Sequence, residues 1–136
     1  MRYIIGFLLL LPLFLPAPAR SGNESFRVEL NALESVQGRC RFSFVVENLK
    51  NGSVETLKLD LAVFGKEGVV QRRLVTEMGP LRPAKTMLRA FEVDGECGQI
   101  GSVLLNDVTA CAPGEAAACL DQLTVSSRVE GVRLYK

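Results

Sequence analysis

Histidine and tryptophan are absent from the 136 residues, and neither sign of charge is in clear excess, with 16 Lys and Arg against 15 Asp and Glu. Without histidine there is no Ser-His-Asp or Cys-His catalytic set, no imidazole metal ligand and no imidazole switch near neutral pH. The balanced charge argues against general nucleic-acid binding, which draws on a strong basic excess to displace counterions. The chain has no Cys-x-x-Cys pair, the spacing that redox enzymes favour. Its carboxylates nowhere show a spacing that nominates a general acid and base. These absences point to a non-enzymatic chain that needs no cofactor and no metal. What is present is ordinary for a globular protein: 48% hydrophobic and 23% charged residues in a length that suits one domain.

The first nineteen residues differ in kind from the rest. Arg2 supplies a minimal positive start, Tyr3 to Leu15 (YIIGFLLLLPLFL) is an uncharged apolar run, and Ala17-Pro18-Ala19 offers small residues where a signal peptidase reads. A spanning helix needs about 20 apolar residues. This run is shorter, is interrupted by Pro12 and stops at Pro16. We read 1–19 as a cleaved secretory signal peptide and 20–136 as the mature domain, with no stable membrane insertion after cleavage. Loss of Arg2 takes the formal charge of +1 to zero. The expected location is periplasmic or secreted.

Alternation dominates the remainder. Phe42, Phe44 and Val46 interleave with Arg41, Ser43 and Val45, and Leu57, Leu59, Leu61 and Val63 interleave with Lys58, Asp60 and Ala62. Period two sends one set to a buried face and the other toward water. Further strands are expected at Phe26 to Leu30, Val69 to Thr76, Met87 to Val93, Ser102 to Cys111 and Leu123 to Val129, the last resuming at Val132 to Tyr135. Asn51-Gly52, Gly65 to Gly68, Gly79-Pro80 and Pro83 break the chain between them. A helix has one place to form, a turn or two within Pro113 to Leu123. About seven short strands spaced by turn residues predict an immunoglobulin-like antiparallel β-sandwich.

The stretch Val45 to Val93 adds a cadence. An apolar strand ends in an asparagine (Val45-Val46-Glu47-Asn48), a polar loop follows, and the next strand closes on an aromatic residue in Leu61-Ala62-Val63-Phe64-Gly65. A glycine-containing turn and a second strand then lead to a Phe91-Glu92-Val93 strand. This pattern resembles the FxLYD-like, immunoglobulin-like domains of bacterial envelope proteins, and the whole chain is similar to small secreted proteins of Gram-negative bacteria. The resemblance implies an interaction or accessory module of the cell envelope, with another envelope or periplasmic protein as partner and no catalytic residue.

Four cysteines behind a signal peptide read as disulfides, with three possible pairings. If the second strand and the Met87 to Val93 strand are antiparallel neighbours, Cys40 and Cys97 share one end of the sandwich, and Cys111 and Cys119 fall at the other. Topology therefore favours Cys40–Cys97 and Cys111–Cys119. Chain entropy assigns roughly 4 kcal/mol to the longer loop and roughly 2.5 kcal/mol to the shorter. A thiolate metal site is disfavoured, since only Cys111 and Cys119 stand even loosely near each other.

One charged cluster qualifies as a candidate anion or partner patch: Arg72, Arg73, Arg82, Lys85 and Arg89, with Glu77 the single acid among them. It would suit a small-molecule or anionic ligand if two chain breaks fold it onto one face. The plainer reading is a solvated strand edge, where charge discourages edge-to-edge pairing. Alternation would send Arg72 and Arg73 to opposite faces, and Glu92, Asp94 and Glu96 stand ready to neutralise the group. Asn106 and Asp107 interrupt the apolar Val103 to Leu105 run and read as a buried hydrogen-bonding device. The function expected is a binding or accessory role in the envelope, through protein contacts at a sheet edge or the end loops.

Overall fold

The alternating segments do become strands, and each buries its apolar set. A computed structural model describes Leu15 and residues 24–136. The signal-peptide reading of 1–19 lies, Leu15 apart, outside the described residues. The strands are β1 (Phe26–Val36), β2 (Arg39–Asn48), β3 (Thr56–Gly65), β4 (Val70–Glu77), β5 (Thr86–Asp94), β6 (Ile100–Ala112), β7 (Leu123–Ser127) and β8 (Arg133–Tyr135), with one short helix, α1 (Ala116–Asp121), inside the segment expected to allow one. They form two four-stranded sheets, β5-β2-β1-β7 and β4-β3-β6-β8.

The core lies between the sheets. Phe26, Val28 and Leu30 of β1 and Phe42, Phe44 and Val46 of β2 face Leu57, Leu59, Leu61 and Val63 of β3 and Val103, Leu105 and Val108 of β6, all of them buried. Each large side chain fully removed from water contributes about 1.5–3 kcal/mol. Phe91 of β5 stacks on Phe42 and Phe44 with ring centroids 5.3 and 5.6 Å away, which extends the aromatic core to the rim of its sheet. The sandwich read from the sequence is the observed fold.

It differs from expectation in three respects. β1 runs on to Val36 and turns into β2 through Gln37-Gly38. Both turn residues have positive φ, 49° and 77°, as a two-residue hairpin matched to strand twist requires. A bulge at Asn31 breaks the alternation there, which hid the strand from its pattern. Among the described residues the strands number eight rather than seven, because β7 and β8 belong to different sheets. Finally, the pairings are not all antiparallel: β1 with β7 and β6 with β8 are parallel. The crossing is made by a tight turn in which the Ser127 hydroxyl accepts from Val129 N–H and donates to the Val132 carbonyl.

Both ends of the sandwich are tied. At one end Cys40 on β2 is bonded to Cys97 in the 3-10 turn Cys97–Gln99, and at the other Cys111 on β6 is bonded to Cys119 on α1. The Cα separations of 5.0 and 6.5 Å lie in the ordinary disulfide range. This is the pairing that topology favoured. At the second end Asn48, 1% exposed, binds two loops together: its amide donates to the Gly52 and Arg82 carbonyls and its Oδ1 accepts from Lys50 N–H. The asparagine at the close of the apolar strand is thus a buried joint between the β2–β3 and β4–β5 connections.

Candidate functional site

β4 and β5 are edge strands of different sheets, and side chains join them along one flank of the sandwich. From β4, Arg72 Nη2 donates to the Asp94 carbonyl at 3.2 Å. From β5, Arg89 Nε donates to the Met78 carbonyl at 2.9 Å and Nη2 to the Pro80 carbonyl at 2.8 Å. Val69, Val70, Val75 and Leu88 are the exposed large hydrophobics among residues 24–136, and all four lie on these two strands or immediately before β4. Val75 stands opposite Asp60 on the outer face of one sheet and Leu88 opposite Val45 on the outer face of the other, so each edge strand carries its own exposed aliphatic residue.

The two edges differ in what their backbones offer. Met78 N–H donates to the Leu57 carbonyl at 2.8 Å, which sets the phase of the β3–β4 ladder. Antiparallel pairs alternate between bonded and non-bonded. Thr76, Leu74 and Arg72 therefore bond to β3, while the N–H and C=O groups of Arg73, Val75 and Glu77 point away from it. No side chain among the described residues hydrogen-bonds to those outward groups. In β5 the bonds Asn48 N–H to Lys85 C=O and Gly95 N–H to Gly38 C=O fix the phase. Thr86, Leu88, Ala90, Glu92 and Asp94 then face outward. Three of their carbonyls are occupied: Leu88 by Arg89, Glu92 by Arg39 and Asp94 by Arg72. Arginines thus cap part of the β5 edge, whose outward N–H groups stay without a side-chain partner among the described residues, whereas on β4 no outward group is capped.

The five cations of the sequence-read cluster are strung along this flank rather than gathered on one face. Arg72 faces inward opposite Val63, and Arg73 faces outward opposite Ala62. Arg89 reaches inward and holds backbone carbonyls. Arg82 and Lys85 lie in the connection between β4 and β5, and their side chains make no ion pair with a described residue. Glu92 and Asp94 are engaged elsewhere, by Arg39 and Arg41.

Arg73 makes the one contact that alternation concealed. Alternation puts Asp60 on the solvent side of β3, yet its side chain is only 6% exposed. Arg73 Nε and Nη2 donate to its two oxygens at 3.1 and 2.7 Å, and Asn106 Nδ2 adds a bond of 2.8 Å. The Arg73 bonds chiefly, with help from Asn106, hold the Asp60 carboxyl below its ordinary pKa against the opposing effect of burial. Asn106 and Asp107 are themselves exposed rather than buried, which corrects their reading. Asn106 is the extra residue of a bulge between Leu105 and Asp107, and that irregularity aims its amide at Asp60. The signal available in sequence was an aspartate inside an otherwise apolar run.

A cleft of about 220 Å³ opens at the Cys40–Cys97 end, lined by Val63, Gln71, Arg72, Val93, Glu96 and Gln99 among others. Its one guanidinium, that of Arg72, is already bonded to the Asp94 carbonyl, so it offers little to an anion. Comparison with protein-family models, curated proteins and solved structures finds no match for this chain.

Proposed function

We propose that this protein is an exported, non-catalytic binding module of a bacterial cell envelope that receives an extended polypeptide segment along β4. The observation that carries the reading is the open β4 edge: outward backbone groups at Arg73, Val75 and Glu77, with exposed Val70 and Val75 beside them. Strand addition uses these resources, main-chain hydrogen bonds for affinity and alternate side chains for selection. Export is supported by the apolar leader with its Ala17-Pro18-Ala19 site and by two disulfides, which persist in oxidising compartments. An accessory role in the envelope is also what the likeness of Val45 to Val93 to the FxLYD-like domains implies. An anionic-ligand role for Arg72, Arg73, Arg82, Lys85 and Arg89 draws less support, because three of the five guanidinium or ammonium groups are already bound to protein oxygens.

The test is site-selective photo-crosslinking in native envelope extract, with a benzophenone side chain placed at position 75 or, as the control edge, at position 88. Adducts at 75 that are absent at 88 and are lost with a second change, Arg73→Pro, support the reading. Equal labelling at both positions, or none at 75, removes it.

A further inference from the structure

We propose that the polypeptide received along β4 is the same strand of a second copy of this chain, so that two sandwiches join through an antiparallel β4–β4 pair about a two-fold axis at Val75. This inference rests on the strand-accepting reading of β4 and supplies its partner. Register selects the axis. Only residues whose backbone groups point outward form the hydrogen-bonded pairs of a new ladder, which restricts them to Arg73, Val75 and Glu77. With the axis at Val75, that residue meets its own copy, and Arg73 stands opposite the second copy's Glu77, twice by symmetry. Moving the axis to Arg73 or Glu77 sets like charges directly opposite, which is destabilising. Moving it to Leu74 or Thr76 leaves the charged residues without each other.

The remaining chemistry agrees. Val75 is 57% exposed, and the pairing covers it with an identical side chain. Arg73 uses Nε and Nη2 on Asp60, which leaves Nη1 for the incoming carboxylate. Glu77 spends Oε1 on the N–H groups of Leu57 and Gly79, and Oε2 is left to receive it. A bulge at Gln71 bounds the pairable run on one side and buried Met78 bounds it on the other. A two-fold pairing of this kind is closed, so it consumes the open edge instead of propagating a fibre. The product is one continuous sheet in which β4 is no longer an edge.

The test is sedimentation equilibrium of the chain as exported, after leader cleavage, at low salt, with folding checked by circular dichroism. The wild type is expected to be a dimer that weakens with added salt. Arg73→Glu and Glu77→Arg, each alone, put like charges opposite and should raise the dimer dissociation constant by about tenfold or more. An equal mixture of the two variants restores both opposite-charge pairs, so it should form a mixed dimer that neither variant forms with itself. Val75→Pro deletes an outward N–H without touching the β3 ladder and should yield a folded monomer. A wild type that stays monomeric up to about millimolar chain overturns the proposal, and so does a dimer that ignores all three changes. Crosslinking at position 75 separates the two readings. Adducts at twice the chain mass support self-pairing. Adducts with another protein alone overturn self-pairing and leave β4 as a strand acceptor, and no adduct overturns both.

Discussion

The two edge strands of the joined flank are of similar length, eight residues in β4 and nine in β5, and both carry exposed aliphatic side chains. They differ in how arginine is used. On β5, three guanidiniums occupy outward carbonyls, so the edge is partly capped within its own molecule although its outward N–H groups are not. On β4, the nearest outward arginine turns onto the sheet face to hold Asp60, and the edge backbone is left bare. An edge becomes sticky through unspent hydrogen-bonding groups at least as much as through apolar surface. Composition alone does not separate the two strands; the oxygens on which their arginines land do.

The contrast can be broken in several places. The largest effect is expected from opening the end where β5 is anchored. Replacing both Cys40 and Cys97 with alanine releases a loop that spans 57 positions and should cost about 4 kcal/mol in urea unfolding. Next, Arg89→Met removes the donor to Leu88, Met78 and Pro80 together. It should cost about 2–3 kcal/mol, because the Met78 carbonyl belongs to a buried residue. The same variant should make β5 accept strands, read as new crosslinks from position 88.

Acidification acts beside β4. The Asp60 carboxyl is held below its ordinary pKa by Arg73 and then Asn106, so its contribution to stability is complete above the unfolded value of about 4. That contribution is lost as pH falls through the lower folded value. Thermal melts from neutral to acid pH should show the decline, and Asp60→Asn, costing roughly 1–2 kcal/mol at neutral pH, should flatten it. Glu24 and Glu29 act in the same direction, so the slope should shrink without vanishing. The smallest effect on folding is expected from Leu88→Lys, within about 0.5 kcal/mol of wild type and without change in association. Val75→Lys should be equally mild for folding and should abolish association.

The sandwich was legible because Phe42 to Val46 and Leu57 to Val63 alternate cleanly, and the disulfide pairing followed from the strand order they imply. The open edge was not legible. β4 reads as a strand wherever it sits, and nothing in Val70 to Glu77 states that its neighbour on one side is missing. Asp60 was placed on the water side by period two and does lie on that face, but the bulge at Asn106 and the reach of Arg73 cover it. Bulges at Asn31, Gln71 and Asn106 shift register by single residues, and register decides which carbonyls are spare. The parallel placement of β7 and β8 depends on a serine turn whose composition resembles any other polar loop.

The sheet order also dictates how the molecule should be held for measurement. β8 occupies the margin of its sheet remote from β4, and the Lys136 ammonium lies against the Leu120 carbonyl there. A tether attached beyond Lys136 would leave the bare strand facing solution on a sensor surface, whereas random coupling through lysines would also seize Lys85 and crowd it.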